Sequence, residues 1–283
     1  MTRRSVSSEG LSLAVFDYPS TGPPLVFVHG FPDDHAVWQP VIDRLCDRFR
    51  CIAYDVRGAG DSSPPPHQDG FGVAHLVTDL VAVLDEVLPG EAVHLVAHDW
   101  GSIQTWEAVL AAQDDPRLRG RIASYTSISG PALRHVAAFY SAARRSGWRV
   151  RAQAIQQLAR SWYVVAFQLP ALPELMLRAV MPRDRVPDAV HGLGLYRTNL
   201  MPSAASSAGV RTDLPVQLVV PLRDRFVTPA MTSQVGRFVT TLVRVEIDAG
   251  HWVMRTHPDE LAELVADFAL GHDTSGHRPA APG

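Results

Sequence analysis

Apolar residues follow two alternating rhythms along the chain. Short unbroken apolar runs, the signature of strands buried on both faces, stand at 25–28, 49–54, 122–128, 216–220 and 242–247, with another beginning at Val93. Residues 11–18 alternate and predict an earlier strand. Between these runs the spacing becomes helical: 37–45, 73–88, 102–112, 228–238 and 258–270. In the second of these, Leu76, Leu80, Val83, Leu84 and Val87 share one face. Strands alternating with helices predict an α/β chain with a mainly parallel sheet and helices on both faces. Function then belongs at the carboxyl ends of the strands, where the stretches around His29, Asp55 and Asp99 all fall.

From 131 to 212 the strand rhythm disappears. Helical segments are expected at 132–145, 151–167, 172–180 and 186–200, punctuated by Pro170, Pro173, Pro182, Pro187 and Pro202. This reads as a helical cap inserted after the strand at 122–128. The expected organisation is therefore a core of 1–130 and 213–270, a cap of 131–212, and a disordered tail of 271–283, rich in Gly, Pro, Ser and His.

Composition narrows the function classes. The chain of 283 residues is 46% hydrophobic and 19% charged, enough for a large core. A formal charge of -3 gives no reason to expect nucleic acid. No apolar run has membrane-spanning length. Arg3 and Arg4 have no apolar stretch behind them, so no secretory signal is expected and a cytoplasmic location is. Cys46 and Cys51 read as small hydrophobes in a reducing compartment. Every Lys+Arg position is Arg, which rules out Schiff-base chemistry. No histidine pair has zinc-site spacing. No metal or organic cofactor is expected.

The stretch from Val93 to Ser102 reads as strand, sharp turn and helix, with Asp99 at the apex. In hydrolases such a turn exposes a nucleophile above the sheet. The usual apex is Ser. A carboxylate instead attacks saturated carbon well, giving an ester that water can cleave, and is a poor nucleophile toward esters or amides. Asp99, Asp224 and His251 each follow an expected strand, in the chain order nucleophile, acid, base. One Asp at a strand end commonly just caps a helix, but three such residues in this order argue for a catalytic set. His29, His94 and His98 are read as structural. Asp248, so close to His251 in the chain, is the weaker rival to Asp224 and is read as a loop residue.

Over nearly the whole chain, to about residue 270, the sequence resembles the α/β-hydrolase-fold epoxide hydrolases. His29-Gly30-Phe31-Pro32 resembles their H-G-x-P motif, and Ala97-His98-Asp99-Trp100-Gly101 their nucleophile motif, with Ala97 where Gly is usual. The resemblance implies an oxyanion hole from the backbone N–H groups of Phe31 and Trp100, and a cis proline is common in that turn. Tyr163 and Tyr196, each in a segment similar to those carrying the family's cap tyrosines (Phe167-Gln168-Leu169-Pro170 after the first, Arg197 after the second), are the implied donors to an epoxide oxygen. A tyrosine pKa near about 10 keeps such a donor protonated at neutral pH. Tyr140 is the cap's other tyrosine. The implied catalytic residues are Asp99, Asp224, His251, Tyr163 and Tyr196, with Phe31, Pro32, Trp100, Phe167 and Trp252 binding substrate.

The resemblance thus implies an enzyme, a hydrolase turning an epoxide into a vicinal diol through an ester on Asp99. No cofactor is implied, and the partner is a small hydrophobic epoxide met by a monomer or homodimer. The apolar stretch 169–181 is expected to line or cover the pocket. Arg144, Arg145, Arg149 and Arg151 read as a solvated basic face. The alternative is a dehalogenase using the same Asp. Against it, the haloalkane group usually has Asn where Phe31 stands, and haloacetate enzymes tend to have Arg where Trp100 stands. A non-catalytic ligand-binding member of the fold is the other alternative, disfavoured by the intact Asp–His–Asp set and both tyrosines.

Overall fold

The computed structural model describes residues 1–200 and 211–273. Strands β1 (Thr2–Ser8), β2 (Leu11–Tyr18), β3 (Pro24–Val28), β4 (Arg50–Tyr54), β5 (Val93–His98), β6 (Ile122–Ile128), β7 (Val216–Pro221) and β8 (Leu242–Ile247) form one sheet in the order β1-β2-β4-β3-β5-β6-β7-β8. The β1–β2 and β2–β4 pairings are antiparallel; from β4 through β8 every pairing is parallel. The helices are α1 (Gln39–Leu45), α2 (Val73–Val87), α3 (Trp100–Ala111), α4 (Leu133–Arg145), α5 (Trp148–Arg160), α6 (Trp162–Ala166), α7 (Leu172–Val180), α8 (Val186–Asn199), α9 (Val253–Thr256) and α10 (Pro258–Leu270).

Period-two alternation sends each central strand into two cores. Val26 and Val28 of β3 pack with α2 and α3, while Leu25 and Phe27 pack with α1 and α10. Both faces being covered explains why these strands read as unbroken apolar runs. Helices α4 to α8 lie between β6 and β7 and are anchored to the core by side chains. Asn199 accepts from the backbone N–H of Val73 at 2.9 Å and donates to the carbonyl of Phe71 at 2.9 Å. It thereby caps α2, whose N-cap glycine has no side chain to do so.

Three expectations need correction. Strand β1 was not foreseen, because its residues are polar and mostly exposed. It is held as an outer strand by a hairpin through Glu9 and Gly10, both at positive φ. The helix expected over 228–238 is instead two short 3-10 turns, Pro229–Thr232 and Val235–Arg237. The Thr232 hydroxyl takes the Pro229 carbonyl at 2.8 Å, competing with a helical ladder. The single helix expected over 151–167 is broken at Ser161, whose N–H is shared between the carbonyls of Gln157 (2.9 Å) and Leu158 (3.2 Å). Of the expected disordered tail, 271–273 stays attached to α10, with the N–H of His272 on Ala269 at 3.0 Å, and 274–283 lies outside the described residues. So does 201–210 of the expected cap. Both cysteines are free, and Cys51 is buried.

Helix α3 crosses β3 at very short range. A Cβ built on Gly101 would lie 2.3 Å from the carbonyl oxygen of His29. Neither backbone can yield without moving the other, so Gly101→Val is expected to destabilise the fold by about 3 kcal/mol, the upper range for overpacking. Thermal unfolding should show Tm lower by roughly 5 °C or more; an unchanged Tm would mean that the crossing is looser than this.

Candidate active site

The site forms where β5 ends. Asp99 adopts φ 53 and ψ -124, a conformation rare for a residue with a Cβ. The turn is over-determined: the Asp99 N–H donates to Ile128 and its carbonyl accepts from Ile103, both at 3.0 Å. Beneath it the Ser102 hydroxyl joins Tyr125 (2.6 Å), Ser127 (2.8 Å) and the Gly130 carbonyl (2.7 Å), fastening α3 to β6. Ala97, where a glycine is usual, is fully buried in β5 opposite Val28, and its methyl is accommodated there.

The loop after β3 meets this turn. The Phe31–Pro32 bond is cis. The Phe31 N–H donates to Asp99 Oδ1 at 2.9 Å, and the Trp100 backbone N–H also bonds the carboxylate. Both expected oxyanion donors therefore converge on one oxygen-bearing group. From β7, Asp224 Oδ1 accepts the N–H groups of Phe226 (2.7 Å) and Val227 (3.0 Å), and its Oδ2 accepts His251 Nδ1 at 2.9 Å. His251 Nε2 then stands 3.6 Å from Asp99 Oδ2. Asp224, His251 and Asp99 thus lie in one line.

Burial opposes charge on all three groups, but their pairing prevails. Hydrogen bonding and charge from His251 hold the Asp99 and Asp224 carboxyls below the usual range. Against desolvation, the two carboxylates raise His251 to about 10. His98, beside it with ring centroids 4.5 Å apart, goes the other way: burial lowers it to about 3. It is neutral and donates Nε2–H to the His251 carbonyl at 3.0 Å. His29 accepts the Val56 N–H at 2.9 Å and His94 bonds the Ser124 hydroxyl at 2.8 Å. Asp248 is exposed and paired with Arg223 at 3.0 Å.

Helices α6 and α8 bring Tyr163 and Tyr196 over the carboxylate. Their ring centroids are 6.0 Å apart, and Tyr196 stands edge-on to Trp100 at 5.0 Å and Phe31 at 5.3 Å. Phe167 closes the box, 5.0 Å from Tyr196 and 5.8 Å from Phe31. Burial first, then the negative charge of Asp99, raises both tyrosine hydroxyls above their ordinary value, so both stay protonated donors. Pro32 lines a small neighbouring cavity with Phe31 and Trp100. Trp252 packs 4.9 Å from His251, its indole N–H held by Asp33 at 2.7 Å.

Several contributors escaped the sequence reading. Gln157 of α5 accepts the Thr228 N–H (2.9 Å) and hydroxyl (2.7 Å) and donates to the Phe226 carbonyl (2.7 Å). Arg160 donates to the Asp224 carbonyl at 3.0 Å. Together they clamp the loop that carries Asp224. Arg197, noted in the sequence only as following Tyr196, donates to the carbonyls of Phe167 (2.8 Å) and Leu169 (2.9 Å), tying the two tyrosine segments together. Phe226 touches both Tyr163 (5.6 Å) and His251 (4.9 Å). Its place two residues beyond Asp224 was the available signal; nothing local marks Gln157. One expectation fails. In the stretch 169–181 only Pro173 and Leu177 are buried, Leu177 in a cluster with Ala189 and Leu193 of α8; Leu169, Leu172, Leu175, Met176 and Val180 face outward. An amphipathic α7 spends one side on α8 and leaves the other uncovered.

A family model for the alpha/beta hydrolase fold matches residues 23–161. The chain has the α/β-hydrolase fold. It is similar to "Probable oxidoreductase EphD" of Mycobacterium tuberculosis, 37% identical over 95% of this chain but 49% of that protein. It is also 26% identical to "Epoxide hydrolase A" of the same organism, over 95% of this chain and 98% of the relative. Among solved structures, epoxide hydrolases from metagenomes of hot environments superpose with TM-score 0.75 at 26% identity, covering 96% and 99% of the two chains. A Bacillus megaterium epoxide hydrolase bound to an inhibitor gives 0.76 at 20% identity, covering 94% and 100%, a likeness of fold. The resemblance drawn from the motifs is thus upheld. The hydrolase-fold chain spans about half the length of the curated relatives it matches first.

The charge arrangement has a pH signature. His251 is raised above its ordinary value of about 6.5, so the stability it contributes is full below that pH and is lost as pH rises toward about 10. NMR titration of the imidazole should show this alkaline midpoint, and Asp99→Asn should move it down by removing one of the two negative charges. A midpoint near 6.5 in the unsubstituted protein would contradict the pairing.

Proposed function

We propose that the chain is an epoxide hydrolase working through an ester on Asp99. The observation that carries this reading is the pair of tyrosine hydroxyls, Tyr196 buried and Tyr163 half-buried, on two separate helices and both in the field of one carboxylate. A carboxylate nucleophile alone suits carbon–halogen and carbon–oxygen cleavage equally. Two protonated donors above it suit a leaving oxygen that stays tethered to the product and must receive a proton. The name of Epoxide hydrolase A agrees, whereas the relative at 37% identity is named a probable oxidoreductase. On this reading residues 131–212 form a cap over the core, 1–130 and 213–270.

Asp99 Oδ1 rests on the Phe31 N–H, which leaves Oδ2 to attack the epoxide carbon. The ring C–O bond breaks as the new C–O bond forms, and a tyrosine supplies the proton to the released oxygen. Esterification erases the Asp99 charge, so His251, held at about 10 by two carboxylates, then keeps only Asp224 as its partner. Its pKa falls at the stage where a base is needed. The proton it releases offsets the one the tyrosine pair has given, exchanged through water. Neutral His251 takes a proton from water, the hydroxide attacks Cγ of the ester, and negative charge develops on Oδ1, where the Phe31 N–H already points, beside the Trp100 N–H that also bonds this carboxyl. Collapse releases the diol and restores the carboxylate.

The walls that face this centre, Phe31, Trp100, Phe167 and Phe226, are aromatic and favour a hydrophobic epoxide. The two free cysteines agree with a reducing, cytoplasmic setting. No helix among the described residues is long and apolar enough to cross a membrane. Action as a monomer or homodimer is part of the same proposal.

A single turnover in ¹⁸O-labelled water, with enzyme in excess, should give unlabelled diol and leave the label in Asp99. Label in the diol of that first turnover would sink the covalent route. His251→Gln should gain the mass of one substrate and then stall. Tyr163→Phe and Tyr196→Phe should each slow the alkylation step by about 100-fold, the low end for a lost general acid. Halide release from haloalkanes without diol formation from any epoxide would instead favour a dehalogenase.

A further inference from the structure

The outer side of the helical segment is unusually apolar. Trp148, Ile155, Leu158, Trp162, Val165 and Leu169 recur every three, four or seven residues along α5, α6 and the turn after them. Within each helix that spacing sets them on one side, Trp148, Ile155 and Leu158 on α5 and Trp162 and Val165 on α6. They are between 46% and 74% exposed. Helix α7 adds Leu175 and Val180, 66% and 74% exposed. Two tryptophans and a row of large aliphatic side chains in water form a surface that monomeric proteins generally avoid.

The charges around this surface say what it meets. Between residues 133 and 183 stand eight arginines and a single acidic residue, Glu174, in a chain whose total charge is -3; of the eight, Arg134 is paired with Glu107 at 2.6 Å and Arg160 turns inward to the Asp224 carbonyl. Glu174 is itself taken by Arg197 at 2.7 Å. Arg144, Arg145, Arg149 and Arg151 have no carboxylate partner among the described residues, and the Arg149 guanidinium lies 5.5 Å over the Trp148 ring. The inner residues of the same helices are committed, Gln157 and Arg160 to the acid loop and Tyr163 to the aromatic box, so the outer stripe is free to meet something else. A second copy of the face would bring two strongly positive surfaces together. An anionic bilayer satisfies both properties at once: tryptophan and aliphatic side chains enter the headgroup boundary while arginines stay at the phosphates.

We propose that the outer face of α5 to α7 is a seat for an anionic phospholipid surface, on which the protein lies without spanning the bilayer. Tyr163 is the immediate neighbour of Trp162, so the seat is the back of the wall that holds the site. Attachment does not depend on the reaction proposed above and is read without any turnover.

The test is co-sedimentation of the full chain with vesicles of phosphatidylcholine alone or with about a third phosphatidylglycerol. The expected result is binding to the anionic vesicles at least ten-fold tighter than to the neutral ones, weakened as salt screens the arginines. Ile155→Glu with Trp162→Glu should lose at least ten-fold in affinity, and so should Arg144→Glu with Arg149→Glu, with circular dichroism and Tm unchanged because these side chains are exposed. Absence of binding to anionic vesicles overturns the proposal, as does binding that the first pair of substitutions leaves untouched. A stable dimer that Ile155→Glu with Trp162→Glu converts to monomer, without vesicle binding, also overturns it and assigns the face to a second copy.

Discussion

The structure depends on one strained crossing. Helix α3 must start within a residue of the end of β5 and pass so close to β3 that no side chain fits at Gly101, and Asp99 must take positive φ at the junction. Such a conformation costs roughly 1–3 kcal/mol and persists only where surroundings over-determine it. Here they do. Backbone bonds run from Asp99 to β6 and to α3, a side-chain bond runs to the loop after β3, and the Ser102 hydroxyl cluster locks the helix from below. The result is a carboxylate held above the sheet, in front of a helix N-terminus whose partial positive charge favours the anion.

Around that carboxylate the electrostatics are arranged in opposition. Desolvation favours neutral groups, and the three charges survive because each is paired within hydrogen-bond or ion-pair reach. His98 shows what the same burial does to an imidazole facing a carbonyl instead of a carboxylate: it is pushed to about 3, whereas His251 is lifted to about 10. The two rings lie 4.5 Å apart and differ chiefly in their partners. A neutral His98 also avoids placing a second positive charge beside His251, while its N–H fixes the His251 backbone.

Sequence pattern revealed most of this, for a physical reason. Central strands with helices on both faces must be apolar throughout, so 25–28 and 122–128 are legible without any partner in view. An outer strand such as β1 pairs on one edge and faces water, so its residues carry no such constraint. The line of Asp224, His251 and Asp99 was legible because each member follows a strand and the turn at Asp99 needs small neighbours. Gln157 was not, because its task is fixed by an encounter with Thr228, 71 residues away in the chain. The stretch 169–181 was misread because composition reports how apolar a helix is and not which way it faces. Only the packing of Leu177 against α8 decides that.

The break at Ser161 brings these threads together. Six residues separate Gln157 from Tyr163, and in an uninterrupted helix of about 3.6 residues per turn their side chains would point roughly 120° apart. Gln157 faces the loop after Asp224 and Tyr163 lies in the field of Asp99. Instead α5 ends at Ser161, where the Gln157 amide donates to the Ser161 hydroxyl at 3.0 Å, and α6 restarts with Tyr163 as its second residue. Trp162 and Val165 are left on the outside as a consequence. The exposed apolar row and the inward tyrosine are therefore not independent features, since one helix geometry sets both.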